Sequence, residues 1–285
     1  MNSTGTLIAL VDGSKYSTSV CHYAAWIAKR TGSTVKIYHV LGRRDGVEQQ
    51  DLSGAIQLGA RSHLLEELSE LDAKRAKLNQ AKGRAILEDA QAIIEAEGVT
   101  VETRLRQGDL VETILAKEGT GDLIVIGKRG EAADFAKLHL GSNLERIVRS
   151  SHKPVFVANR EFKPVTNVLI AFDGGPSSLR AVDYLSRSKL LAGLPVTLAF
   201  AGVETDDIRK ALEQAKSTLA GGGFEAGIIV ENGKPETTLG RLVEDQEYDL
   251  VVMGAYGHSR IRSLIIGSST TEMVRTCKVP ILLMR

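Results

Sequence analysis

Short unbroken apolar runs alternate along this chain with stretches whose apolar residues recur every three or four positions. The runs at 6–11, 123–126, 155–158, 168–172, 196–201, 250–253 and 281–284 have the pattern of strands buried on both faces. Segment 34–41 (TVKIYHVL) adds an alternating, β-branched strand, and 101–106 and 226–231 read as strands as well. Helical spacing predicts helices over 17–30, where Val20, Ala24, Ile27 and Ala28 share a face, and over 110–118, 141–149, 177–189, 206–219, 237–247 and 268–277. A long charged helix is predicted over 62–97. Leu64, Leu68 and Leu71 line one face of it, and Ile86, Ala90, Ile93 and Ile94 continue that face. The face reads as a packing surface, with a partner-binding surface as the alternative. Gly83 stands inside this helix as a break or bend.

Strand and helix alternate throughout, and the strands are too apolar to face water. The expected fold is therefore α/β, with parallel strands, helices on both faces and right-handed crossovers.

The pattern occurs twice. LIALVDGS at 7–14 matches VLIAFDGG at 168–175, and their aspartates, Asp12 and Asp173, are 161 positions apart. DLIVIG at 122–127 matches DLVVMG at 249–254, with glycines 127 apart, and the prolines Pro154 and Pro280 lie 126 apart. Three matched segments in one order indicate duplication. The second copy has lost about 35 residues, nearly all between its first and third strands. A first domain over 1–160 and a second over 161–285 are expected, the latter shorter between strands two and three. The join near 161–164 is too brief for a flexible linker, so the copies should pack together.

Composition narrows the function. Lys and Arg total 36 against 35 Asp and Glu, a formal net charge of +1, without the basic excess or tract of a nucleic-acid or anionic-membrane binder. No apolar run approaches a membrane span, and the run that stops at Asp12 is too short for a signal peptide. Two cysteines, Cys21 and Cys277, form no metal-ligand spacing and read as buried thiols of a reducing compartment. A cytoplasmic protein with no nucleic-acid or membrane partner is expected. His22 and His39 read as packing residues, Trp26 as core, and His258 as a surface-loop residue or a phosphate contact. No Ser-His-Asp arrangement, HExxH or nucleophilic cysteine is evident.

The most specific chemistry follows the second copy's fourth strand. Gly254 and Gly257 are succeeded, after nine residues, by Gly267, Ser268 and Ser269 at the start of a helix. Glycines there let backbone approach an anion closely. The helix start offers unpaired N–H groups and the favourable end of its dipole. The intervening loop carries His258, Arg260 and Arg262 and no carboxylate. The spacing is neither Walker A nor GxGxxG. In open α/β sheets ligands sit where strand order reverses, which for order 3-2-1-4-5 lies between strands one and four, beside Asp173, Met253 and Gly254. Plainer readings stand alongside. Asp12 and Asp173 suit a cap of the first helix equally well, the glycines suit tight turns, and Ser142 with Glu145 and Ser269 with Glu272 fit S-x-x-E capping boxes.

With VDGS at 11–14, FDG at 172–174 and G-x2-G-x9-G-S in place, the chain resembles a tandem universal stress protein of the UspA family over nearly its whole length. The resemblance implies an adenine-nucleotide α-hydrolase-like fold: two doubly wound five-stranded parallel sheets of order 3-2-1-4-5. Their fifth strands, 155–158 and 281–284, would pair antiparallel as an intrachain pseudo-dimer, and whether such chains pair again as a homodimer stays open. It also implies ATP or AMP on the glycine loop; Mg²⁺ is expected to accompany bound ATP, with Asp173 a candidate contact. Asp173 would lie beside the nucleotide and residues 200–202 beside the adenine. The first copy departs from the signature. Gly127, Lys128, Arg129 and Gly130 are followed by ten residues, including Glu131 and Asp134, before Gly141 and Ser142. Its site, Asp12 with these glycines and Ser142, is expected to bind nucleotide weakly or not at all, with Lys128 and Arg129 partly offsetting the two acids. The expected function is nucleotide-dependent regulation in the stress response, at most a slow ATPase. The rivals are a nucleotide-independent interaction protein and an ATP-using enzyme of the related hydrolase-like group.

Overall fold

The computed structural model describes residues 5–42, 58–130, 141–255 and 268–285. All ten predicted strands are present. The first copy contains β1 (Thr6–Leu10), α1 (Lys15–Thr31), β2 (Thr34–Leu41), α2 (Leu58–Ala96), β3 (Val101–Gln107), α3 (Leu110–Leu115), β4 (Leu123–Gly127), α4 (Ser142–Ser150) and β5 (Val155–Ala158). The second contains β6 (Val168–Ala171), α5 (Pro176–Arg187), β7 (Val196–Ala201), α6 (Asp206–Gly221), β8 (Ala226–Glu231), α7 (Pro235–Asp245), β9 (Leu250–Gly254), α8 (Ser268–Thr276) and β10 (Ile281–Met284). Proline at the start of α5 and α7 occupies a position whose N–H has no helical partner in any case.

Each copy has strand order 3-2-1-4-5, but the two sheets are one. The order is β3-β2-β1-β4-β5-β10-β9-β6-β7-β8. Every neighbouring pair is parallel except the central one, where β5 and β10 run antiparallel with Val157 opposite Ile281, Phe156 opposite Leu282 and Val155 opposite Leu283. Pairing there satisfies the backbone of two strands that would otherwise be exposed edges.

Strand alternation divides the interior into two layers. Phe156 and Leu282 point into the layer that packs against α1, α2, α5 and α6. Val155, Val157, Ile281 and Leu283 point into the layer under α3, α4, α7 and α8. Both layers cross the junction between copies without interruption. Phe156 and Leu282 are fully buried, and each such side chain contributes about 1.5–3 kcal/mol.

Polar ties reinforce this seam. Arg285 Nη1 donates to the Ser151 carbonyl (2.9 Å) at the end of α4, and Asn159 Nδ2 donates to the Lys278 carbonyl (3.0 Å) beyond α8. Lys128 Nζ donates to the Cys277 carbonyl (2.7 Å). A cation suits the carbonyl-rich end of a helix. Farther out, the Arg30 guanidinium donates to the carbonyls of Leu190 and Ala192 while lying over the Trp26 ring at 5.5 Å. Trp26 is thus half-buried at the core margin rather than inside it.

The long helix corrects two expectations. It runs unbroken through Gly83. A Cβ there would meet Leu105 Cδ1 at 2.8 Å and His39 Cδ2 at 3.0 Å, so glycine serves close packing onto β2 and β3, not a bend. The apolar face is also not continuous packing. Leu87, Ala90 and Ile94 are buried, whereas Leu68, Leu71 and Leu78 are 41%, 60% and 70% exposed. Residues 68–78 of α2 therefore present an exposed apolar stripe. His39 and His22 are packing residues as expected: His39 Nδ1 lies 2.8 Å from the Val11 carbonyl, and His22 stacks on Phe162. Both cysteines are buried and free, and burial pushes the Cys21 thiol up to about 12.

Lys128 yields a test of the seam. Burial pushes its ammonium down to about 8 from an ordinary 10.5. Between those values the unfolded chain holds the extra proton, so Lys128's contribution to stability grows as pH rises through that window and is smallest below pH 8. Wild type should gain on the order of 1–3 kcal/mol over Lys128→Met between pH 7.5 and pH 10, read from urea midpoints. A pH-independent difference would place the amine in solvent.

Candidate functional site

In the second copy β6 leads to β7 on one side while β9 pairs on the other. The chain order reverses here, and the crevice beyond these strand ends is where an open parallel sheet accepts ligands. Asp173 and Gly254 stand at its two sides. Gly174 takes φ +72°, a left-handed turn that favours glycine, and turns the chain sharply from β6 into α5. Asp173 Oδ1 accepts from the Gly175 N–H (2.8 Å) and the Ser178 hydroxyl (2.7 Å). The carboxylate therefore braces the turn, and Gly175, not Asp173, is the N-cap of α5. Asp173 is nonetheless exposed.

Gly254 meets the same helix. A Cβ on it would lie 2.7 Å from Ser177 Cβ and 3.4 Å from the Ser178 nitrogen, so only glycine lets β9 end this close to α5. Beyond it, the Thr270 hydroxyl in the first turn of α8 donates to the Gly254 carbonyl (3.2 Å). That bond docks the start of α8 on the end of β9. The first-turn N–H groups of α8, which have no partner within the helix, are thereby held beside the crevice. Thr270 was missed by sequence reasoning, although the run SSTT at 268–271 held the signal of a hydroxyl-rich first turn.

Other expected residues fall differently. Ser268 is exposed at the start of α8. The Ser269 hydroxyl turns to Glu236 on α7 (3.3 Å), a carboxylate near the site that the sequence did not flag. Glu272 pairs with Arg275 (2.6 Å), so Ser269 and Glu272 form no capping box. Met253 is buried at the end of β9. Gly257, His258, Arg260 and Gly267 lie outside the described residues. Past the end of β7, where the resemblance implies the adenine, Gly202 takes φ +153° against the Phe200 ring, and a Cβ there would approach Phe200 Cζ to 3.1 Å. Val203, just beyond, is 69% exposed.

The first copy repeats the frame with changes. Asp12 Oδ1 accepts from the Ser14 N–H (3.0 Å) and the Ser17 hydroxyl (3.1 Å), and Ser14 is the N-cap of α1. Gly127 rests on Tyr16, with Tyr16 Cβ 2.7 Å from its Cβ position. The two glycines that flank the loop, however, pack closely. A Cβ on Gly130 would meet Asp12 Oδ2 at 2.8 Å, and Gly141 packs on the backbone of 128–130. The left-handed Gly13 lies under Ile86 of α2, whose Cδ1 is 2.7 Å from the Cβ position, whereas the matching Gly174 has Ile208 at 3.6 Å. Lys128 does not offset Glu131 and Asp134 at a phosphate site, because its amine crosses the seam to Cys277. Gly141 is the N-cap of α4 without a side-chain bond, so Ser142 with Glu145 is no capping box either. Glu131 and Asp134 lie outside the described residues. Among the described residues no three His, Cys, Asp or Glu side chains group to hold a metal ion, and the donor set does not fit a protein-built Mg²⁺ centre.

Comparison with known proteins agrees with this frame. The profile of the universal stress protein family matches residues 4–159 and 191–285. Universal stress protein Slr1230 of Synechocystis is 37% identical over 98% of this chain and 99% of its own. A universal stress protein from Archaeoglobus fulgidus superposes with a TM-score of 0.72 at 22% identity, covering 99% of each chain. A universal stress protein solved in complex with cAMP aligns with 43% of this chain and 98% of its own, at 26% identity and a TM-score of 0.38. No described helix is long and apolar enough to cross a membrane. The chain belongs to the universal stress protein family, in its tandem form with two such domains fused.

Proposed function

We propose that this protein binds an adenine nucleotide, ATP or AMP, in the crevice of its second copy and acts as a nucleotide-dependent regulator in the cytoplasm. The observation that carries the reading is the docking of α8 on Gly254 through Thr270. It sets the first-turn amides of a helix, which have no partner within it, beside a glycine that lies flush with α5, across the crevice from the carboxylate of Asp173 that its own turn holds. Gly254, Gly257, Gly267 and Ser268 complete the sequence pattern, and Arg260 supplies a cation in the same loop. The phosphates would meet backbone N–H groups, with electrostatics favoured by the helix dipole. The base would lie against Gly202 and Val203, where an exposed valine offers apolar surface. Mg²⁺ arriving with ATP would be held by the phosphates and water.

The residues at this crevice bind and orient. Asp173 accepts two hydrogen bonds from its own turn, which holds it in place rather than freeing it as a base for water. Hydrolysis is accordingly slow, since phosphoryl transfer needs a positioned nucleophile as well as charge stabilisation. The first copy's crevice, with Gly130 against Asp12 and Ile86 over Gly13, binds nucleotide more weakly. A second reading, an interaction protein that needs no nucleotide, draws on the exposed stripe Leu68, Leu71 and Leu78, since contiguous uncovered apolar surface marks interaction sites.

Two substitutions in the full chain test the assignment. Ser268→Asp leaves the helix start electrostatically favourable but sets a carboxylate against the phosphates. It should weaken ATP at least about tenfold by calorimetry, a cost of about 1.4 kcal/mol, while Ser142→Asp leaves affinity unchanged. An unaltered affinity in Ser268→Asp would remove the phosphates from this loop. On the other side, Val203→Asp should weaken ATP and AMP by the same factor, about tenfold, because both carry the base. A loss confined to ATP would place the triphosphate, not the adenine, at Val203.

A further inference from the structure

The two copies are related by an approximate twofold axis through the β5–β10 seam, yet the chain that joins them passes only one side of it. On that side residue Phe162 of the connection fills a cleft beside α1. Its ring packs edge-on against Tyr23 at 4.8 Å and tilted against His22 at 5.4 Å. The Lys163 N–H donates to the Tyr23 hydroxyl, which in turn donates to Asn159 Oδ1, each at 3.2 Å.

The matching cleft on the other side is open. It has a volume of about 500 Å³ and is bounded by α5, the end of β10, and His152 and Pro154 of the first copy. Tyr184 stands where Tyr23 stands, and Arg285 where Asn159 stands. The chemistry has changed as well. Ser19 and Trp26 of α1 are replaced on α5 by Arg180 and Arg187. Arg187 pairs with Asp183, Arg180 reaches the Ser177 hydroxyl at 3.4 Å, and Arg285 reaches the Ser151 carbonyl at 2.9 Å. The α5 wall of the cleft thus carries two guanidiniums, Arg180 and Arg187, against the one carboxylate of Asp183. His152 faces Glu118 at 3.4 Å.

We propose that this cleft is a second ligand site, for a small oxyanion, phosphate monoester or carboxylate, carried on a flat aromatic body. The flat body would take the place that Phe162 takes in the twin cleft, against Tyr184 and Met284. The oxyanion would meet the Arg180 and Arg187 guanidiniums, whose planar forks match carboxylate and phosphate oxygens. The site shares no proposed ligand-contacting residue with the nucleotide crevice, so it stands or falls independently of it.

The test uses the full chain with ¹³C-methyl methionine and phenyl phosphate as the probe. Met284 lines the cleft, whereas Met273 lies buried in α8. The Met284 methyl should shift saturably, with half-saturation at least about tenfold lower than for inorganic phosphate, and Met273 should stay still. Both arginines are exposed, so R180Q/R187Q should fold with an unchanged Met273 signal and lose at least about tenfold in affinity. The single variants R180Q and R187Q should each lose part of it. S268D should leave the response intact. A Met284 signal that does not saturate, that answers inorganic phosphate equally, or that is unchanged by removing the arginines would overturn the proposal.

Discussion

The antiparallel pairing of β5 with β10 is the constraint on which the rest of the molecule depends. Three residue pairs of backbone convert two five-stranded sheets into one, and they carry both hydrophobic layers across the junction. Phe156 and Leu282 meet in one layer, and their neighbours along the same strands meet in the other. Neither copy could keep a parallel edge strand as apolar as VFVA or ILLM exposed to water without inviting association with other chains. Covalent fusion lets each copy close the other's edge without a second molecule.

Fusion also allows twin parts to diverge. The first copy carries a helix of 39 residues where the second has one of 16, and Ile86 of that helix lies over the turn of its crevice. Lys128 of the first glycine loop reaches across the seam to the end of α8, the helix whose start faces the second crevice. The same asymmetry governs the clefts beside α1 and α5. One connection can plug one of them, and the unplugged one has acquired arginines. Each difference follows from a duplicated fold whose two halves no longer have to be identical.

The strands were legible because parallel strands buried on both faces leave unbroken apolar runs, and the repeat because Asp12 and Asp173, Gly127 and Gly254, and Pro154 and Pro280 keep their order. The resemblance to a tandem family member supplied the antiparallel seam, which no local pattern encodes. What remained hidden was what depends on the partner surface. Periodicity showed that Leu68 and Leu71 share a face but not that both are exposed. The charge of Lys128 was plain, whereas its target, a carbonyl 149 positions away, was not. The S-x-x-E pairs resembled capping boxes, yet Glu272 found Arg275 and Ser269 found Glu236. At Gly83 helix propensity suggested a break, and the need to approach His39 and Leu105 decided otherwise.

The seam makes one body with two unequal crevices, and the proposed function assigns the nucleotide to the second. Stoichiometry addresses this most directly. Native mass spectrometry of the full chain across an ATP titration should show a single nucleotide per chain saturating well before any second one appears. Two nucleotides filling together with equal affinity would contradict it.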